Sequence, residues 1–177
     1  MNNFLNRLKS SPVGILGFSI IIIVFFLSIF SEIISPYDPN QYNLRMRYIP
    51  PFWISGDLNF ILGTDQLGRD MLSRLIYGTR ISVIVGIGGV IVSMVIGVFI
   101  GLICGFYRGI IDAILSRIID TLMSIPFILL AISIVGMVGI SGNDSLIVII
   151  IVLGLTGWIT FARVIRAEVL SIREKEY

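Results

Sequence analysis

Four stretches of the 177-residue chain contain no Asp, Glu, Lys or Arg: residues 10–31, 81–107, 121–143 and 145–162, of 22, 27, 23 and 18 residues. About 20 apolar helical residues cross a hydrocarbon core of about 30 Å, so the first three are long enough to span a bilayer and the fourth is at the lower limit. Together they take up 90 residues, and the other 87 carry every charge, so the charged fraction of 14% averages two different materials. A water-soluble globule, in which about 25% of residues are charged, is excluded. The expectation is an all-α integral membrane protein with four transmembrane helices present.

The flanks of these runs set an orientation. With the N-terminus in the cytoplasm, residues 1–12, 107–117 and 163–177 lie inside and carry 8 basic residues in 38, against 5 in 53 for the outer segments 35–80 and 139–145. That bias favours both ends inside. Arg7 and Lys9 precede an apolar run that is longer than a signal-peptide core of about 7–15 residues, and no A-x-A-like cleavage site follows it, so Val13–Ser31 reads as an uncleaved anchor. The chain thus divides into residues 1–34 (tail and first span), 35–80 (outer loop) and 81–177 (spans two to four and the start of a further region).

The outer loop holds four of the six prolines and the aromatics Tyr37, Tyr42, Tyr48, Phe52 and Trp53, which predicts an ordered, extended segment. Its end, Gly63–Arg80, has Thr64 or Asp65 as an N-cap candidate, Leu67, Met71 and Leu75 at i, i+4, i+8, and the pairs Asp65/Arg69 and Asp70/Arg74. This pattern predicts an amphipathic helix lying along the outer membrane surface. The second run carries Gly97, Gly101, Gly105 and Gly109 at four-residue spacing, with Gly89 and Ser93 upstream, which is the small-residue stripe that lets another helix approach closely. Because each four-residue step rotates the face by about 40°, the groove suits a crossing partner better than a parallel one, within one bundle or between two subunits. Val98 is expected to face lipid.

An inner turn at Arg108–Asp112 leads to Arg117 and Asp120, one turn apart at the mouth of the third span, where Asp120 is expected to be neutralised by Arg117. Pro126 lies inside that span and is expected to bend it. The fourth span, about Ser145–Ala162, should leave the membrane as a helix through Arg163, Arg166, Glu168, Arg173, Glu174, Lys175 and Glu176.

Enzyme chemistry has little material here. Histidine is absent, which removes Ser-His and Cys-His nucleophile pairs and HExxH zinc sites. The string Gly139-Ile140-Ser141-Gly142 matches a G-x-S-G protease pattern but has no base, and no GxxxxGK[ST] phosphate loop exists. The single cysteine, Cys104, reads as a packing residue. A net charge of +2 without a basic block gives no surface for nucleic acid, and membrane lipid is partner enough. No cofactor or metal site is expected.

Three motifs in order, GTDQLGRDMLSRLIYGTRISV, GFYRGIIDAILSRIIDTLMSIPFILLAI and GWITFARVIRAEVLSIREKEY, together with the N-terminal anchor and the SPYDPN turn, closely resemble the C-type inner-membrane permease subunits of bacterial dipeptide/oligopeptide/nickel ABC importers. The resemblance implies a six-span permease of the bacterial cytoplasmic (inner) membrane that pairs with a homologous permease as a heterodimer. It further implies two cytoplasmic ATPase subunits and an extracytoplasmic solute-binding protein, with peptides, nickel or related small solutes carried by alternating access. The family's coupling loop and two further spans would follow Tyr177, so the expectation is a chain truncated before that loop, with four spans of six. By the same resemblance, Gly63, Thr64, Asp65, Gly68, Arg69 and Asp70 match the outer motif. Arg108, Asp112, Arg117, Asp120, Ser124 and Pro126 match the inner-turn and third-span motif, and Arg163, Arg166 and Glu168 match the approach to the coupling loop. Architectural and coupling roles are expected for these residues, and helix packing for Gly97, Gly101 and Gly105. The alternatives are a non-transporting four-span adaptor, a non-functional truncated permease, and an intramembrane enzyme whose catalytic pair is missing.

Overall fold

The computed structural model describes residues 11–107, 109–138 and 145–175, and these are all-helical apart from loops and one isolated bridge. The first apolar run forms α1, Pro12–Ile29, with Ser11 as N-cap accepting from the Gly14 N–H at 3.2 Å and Pro12 at the first helical position, where its missing N–H costs nothing. After a break at Phe30 the chain makes one more turn, α2, Ser31–Ile34. The following loop holds a 3-10 turn at Leu44–Met46 and the short α3, Phe52–Ser55, which ends at Gly56 in the left-handed region.

The next helix, α4, Met71–Phe106, is 36 residues long. At 1.5 Å per residue it measures about 54 Å, well beyond a hydrocarbon core. It corrects the expected surface helix over Gly63–Arg80. Residues 63–70 are not helical, because Gly63 and Gly68 take φ +77° and +73° and Thr64 bridges Asp70. Helix formation waits for Asp70, whose carboxylate accepts the Ser73 N–H at 2.8 Å, and from there the helix runs unbroken into the second apolar run. Leu67, Met71 and Leu75 therefore do not form one apolar stripe on a separate helix.

The third apolar run is split. Helices α5, Ile110–Met123, and α6, Phe127–Val138, are bent by 94° at Ser124–Pro126. Pro126 has no N–H to continue the ladder and pushes Ile125 out of the helical region. The bend is sharper than a proline kink inside one helix, since Ser124 and Ile125 close the α5 end in 3-10 fashion on the carbonyls of Thr121 and Leu122. The last helix, α7, Ser145–Lys175, carries the fourth apolar run into the charged stretch without a break. Among the described residues three helices are individually long and apolar enough to cross a membrane, and four spans result if the bent pair counts as one.

The chain clusters into two compact units that divide between Val83 and Ile84. In the first, the loop is tied to the start of α4. The Tyr37 N–H donates to Ser73 Oγ at 3.0 Å, and Arg80 pairs with Glu32. In the second, Ile119 of α5 with Ile159 and Ala162 of α7 form the buried centre, flanked by Ile100, Leu122 and Trp158.

Candidate functional site

The second unit is organised by a seam of small residues between α4 and α7. A Cβ built on Gly89 would lie 3.1 Å from Leu153, on Gly101 2.8 Å from Ile165 and on Gly105 2.6 Å from Val169. Gly97 meets Phe161, and a Cβ on Gly157 would lie 2.5 Å from Ser93 Oγ. Each pair is offset by 64 residues, so the two helices run parallel and in register for four turns. The close approach therefore extends along sixteen residues of each helix instead of a single crossing point, because α7 brings Gly154, Gly157 and Ala162 of its own to the same seam. Ser93 Oγ donates to the Leu153 and Gly154 carbonyls at 3.3 and 3.2 Å. Gly109 has nothing within 4 Å and is not part of the seam. Val98, expected to face lipid, is half-buried; Val95 and Phe99 are the outward positions, 60% and 67% exposed.

At the Gly105 end the seam becomes ionic. Arg166 of α7 makes a two-pronged contact with Asp112 of α5, Nε to Oδ1 at 2.6 Å and Nη2 to Oδ2 at 2.8 Å, and Ser116 Oγ donates to the same carboxylate at 3.2 Å. Both partners are partly buried, which strengthens a fork-on-carboxylate contact over its surface value. One helical face carries Asp112, Ser116 and Asp120 at i, i+4, i+8, and Asp120 meets Arg163 of α7 at 3.9 Å. The expected Asp120–Arg117 neutralisation is thus corrected. Arg117 is turned to the exposed face, where it lines a shallow groove with Ile110, Ile114 and Ile118, and the counter-charge comes from the neighbouring helix. Arg173 adds a third tie that the sequence reading missed. Its Nη1 donates to the carbonyl of Phe106 at 2.8 Å, and its guanidinium lies over the Phe106 ring at 5.8 Å from the centroid. Phe106 is the last residue of α4, so the arginine caps an unpaired C-terminal carbonyl where the helix dipole favours a cation. The seven-residue step from Arg166 to Arg173, two turns along one helix face, was the available signal.

Glu168 is exposed and makes no ion pair among the described residues. Ser124 donates its hydroxyl to the Thr121 carbonyl at 2.6 Å, helping end α5 beside Pro126. Leu122, Pro126, Phe127, Thr156, Ile159 and Thr160 line a cavity of about 290 Å3 at this bend. Arg108, Arg7, Lys9 and Gly139–Gly142 lie outside the described residues.

In the first unit the outer-motif residues form one compact loop. Thr64 donates its N–H to the Ile49 carbonyl at 3.0 Å, accepts the Ile49 N–H on Oγ1 at 2.9 Å and donates that hydroxyl to the Met46 carbonyl. Asp65 accepts the N–H groups of Leu67 and Arg69 at 2.8 and 3.0 Å and pairs with Arg69 and Arg74. Burial would raise the Asp65 pKa, yet these N–H groups and the Arg69 guanidinium outweigh it and hold the carboxyl at about 2. Gly68 needs its positive φ and has no room for a side chain, since a Cβ would strike the Asn43 carbonyl. Among the described residues no group of three His, Cys, Asp or Glu is placed to hold a metal ion.

Residues 97–177 match the family described as binding-protein-dependent transport system inner membrane component, and residues 1–51 match the N-terminal TM domain of oligopeptide transport permease C. The dipeptide transport system permease protein DppC of Escherichia coli (strain K12) is 38% identical over 100% of this chain and 58% of its own length. The oligopeptide transport system permease protein OppC of Bacillus subtilis (strain 168) is 36% identical over 97% of this chain and 53% of its own. The di/tripeptide transport system permease protein DppC of Pseudomonas aeruginosa (strain UCBPP-PA14) is 33% identical over 91% and 52%. The chain spans about half the length of these relatives. Two family matches in the right order and apolar helices of spanning length lead to one conclusion: the chain belongs to the binding-protein-dependent transport system inner membrane components, which are multi-pass membrane proteins.

Proposed function

We propose that the chain is a permease subunit of an ABC importer of peptides. It pairs with a homologous permease, takes solute from an extracytoplasmic binding protein, and is driven by ATP hydrolysis in two cytoplasmic ATPases. The observation that carries this reading is identity of 33–38% along nearly the whole chain to permeases named for dipeptides, di/tripeptides and oligopeptides. The permease contributes geometry and no bond chemistry.

The register of α4 on α7 supports a specific path through the bilayer. Two parallel helices of spanning length require the segment between them to cross back once, so α5 and α6 together make the return and the chain has four spans. With the N-terminus inside, as the basic bias favours, the Asp112–Arg166 and Asp120–Arg163 contacts lie at the cytoplasmic ends of α5 and α7. There they make α5 follow α7 when ATPase movement displaces the charged end of α7. The outer motif, residues 63–70, holds the loop against the first turns of α4.

The test is uptake by the chain reconstituted into proteoliposomes with its companion permease, ATPases and binding protein. ATP-dependent uptake of a labelled di- or oligopeptide is expected. Uptake of nickel without peptide would overturn the substrate, and stable assembly without any uptake would make the chain a non-transporting adaptor.

A further inference from the structure

Asp70 is only 4% exposed, yet its two carboxylate oxygens are treated differently. Oδ2 accepts the N–H and the hydroxyl of Ser73 at 2.8 and 2.6 Å, and that hydroxyl in turn accepts the Tyr37 N–H, so this oxygen is spent on holding the helix start to the loop. Oδ1 is buried and accepts no hydrogen bond among the described residues. The basic side chains of the neighbourhood are committed elsewhere, Arg69 and Arg74 to Asp65 and Arg80 to Glu32. A buried carboxylate with one oxygen unpaired and no cation beside it is costly.

Asp70 lines a cavity of about 140 Å3 together with Tyr37, Gln41, Asn43, Phe60 and Gly68. The Tyr37 and Phe60 rings stack there at 5.4 Å between centroids, so the cavity combines aromatic faces, two side-chain amides and one anionic group. An anion is repelled by Asp70, and a neutral guest leaves the charge unpaired. A hard divalent ion takes six to eight oxygen ligands, often from several carboxylates, and here there is one. A primary ammonium on an alkyl stem fits each feature, with its N–H groups for Oδ1 and the amide oxygens, its charge for the carboxylate, and its methylenes against the rings.

We infer that the Tyr37–Asp70 cavity is a binding site for a primary ammonium group, such as a lysine side chain. The test titrates n-butylammonium into the chain in lipid nanodiscs, followed by saturation-transfer NMR, with calcium and sodium as competitors. Binding in the millimolar range is expected, weakened about tenfold or more in Asp70→Asn, which retains an acceptor for Ser73, as loss of a charged partner implies. Phe60→Leu, which leaves the helix cap untouched, should weaken it severalfold and keeps the test decisive where Asp70→Asn does not fold. No binding to the unmodified chain, equal binding to Phe60→Leu and the unmodified chain, or displacement by calcium at concentrations far below those of the amine would each overturn the inference.

Discussion

Asp65 organises its loop through four separate donors, and that has a consequence for pH. Its pKa is lowered from the ordinary 3.8 to about 2 in the folded chain, so the ionised form is the one the fold favours. A depressed carboxylate contributes stability that is complete above its unfolded value and is lost as pH falls through the folded one. Hydrogen exchange at the Leu67 and Arg69 amides should therefore quicken as pH drops from about 4 towards 2, after correction for intrinsic rates, and Asp65→Asn should remove that step. A pH-independent protection factor in the unmodified chain would contradict this account. The Asp112–Arg166 contact is testable by a double-mutant cycle. Removing either partner leaves a partly buried charge and a lost pair of charged hydrogen bonds, so Asp112→Asn or Arg166→Gln should cost about 1.5–3 kcal/mol. The pair should show coupling within the range of about 0.5–3 kcal/mol found for contacting residues, measured by unfolding in detergent.

Helices α4 and α7 form the element most exposed to single changes. At Gly101 a bare Cβ would come within 2.7 Å of the Ala162 carbonyl oxygen, which is backbone and cannot swing aside. Gly101→Leu should cost on the order of the 1–3 kcal/mol typical of overpacking, while Val95→Leu, on the exposed face, should be nearly silent. Melting temperatures of the membrane-reconstituted chain decide it, and equal values for Gly101→Leu and the unmodified chain would remove the packing account. Val95 replaces Val98 as the control because Val98 is half-buried. The break between α5 and α6 was legible as a site, since Pro126 stands in an apolar run. Its size of 94° was not, because it depends on how Ser124 and Ile125 close the preceding helix.

For the whole molecule, topology is the property to measure. Cys104 is the single cysteine and is fully buried, so a thiol introduced at the exposed Asn40 gives one signal against a silent background. Under the orientation proposed here, Asn40→Cys reacts with a membrane-impermeant maleimide in intact spheroplasts. Reaction only after permeabilisation would reverse the orientation and place the Asp112–Arg166 contact outside. What the sequence by itself determined is whatever hydropathy and short spacing encode: the four apolar runs, the glycine stripe on α4, the proline break, and the motifs that carry the family. These are local signals, each complete within about twenty residues. Only the tertiary structure decided that the stripe meets α7 in parallel at an offset of 64, and that Asp112 pairs with Arg166, 54 positions away, and Asp120 with Arg163. It also decided that residues 63–70 form a turn and that Asp70 keeps one oxygen unpaired. Such pairings depend on which faces pack, and packing sums contacts over separate helices that no local pattern contains.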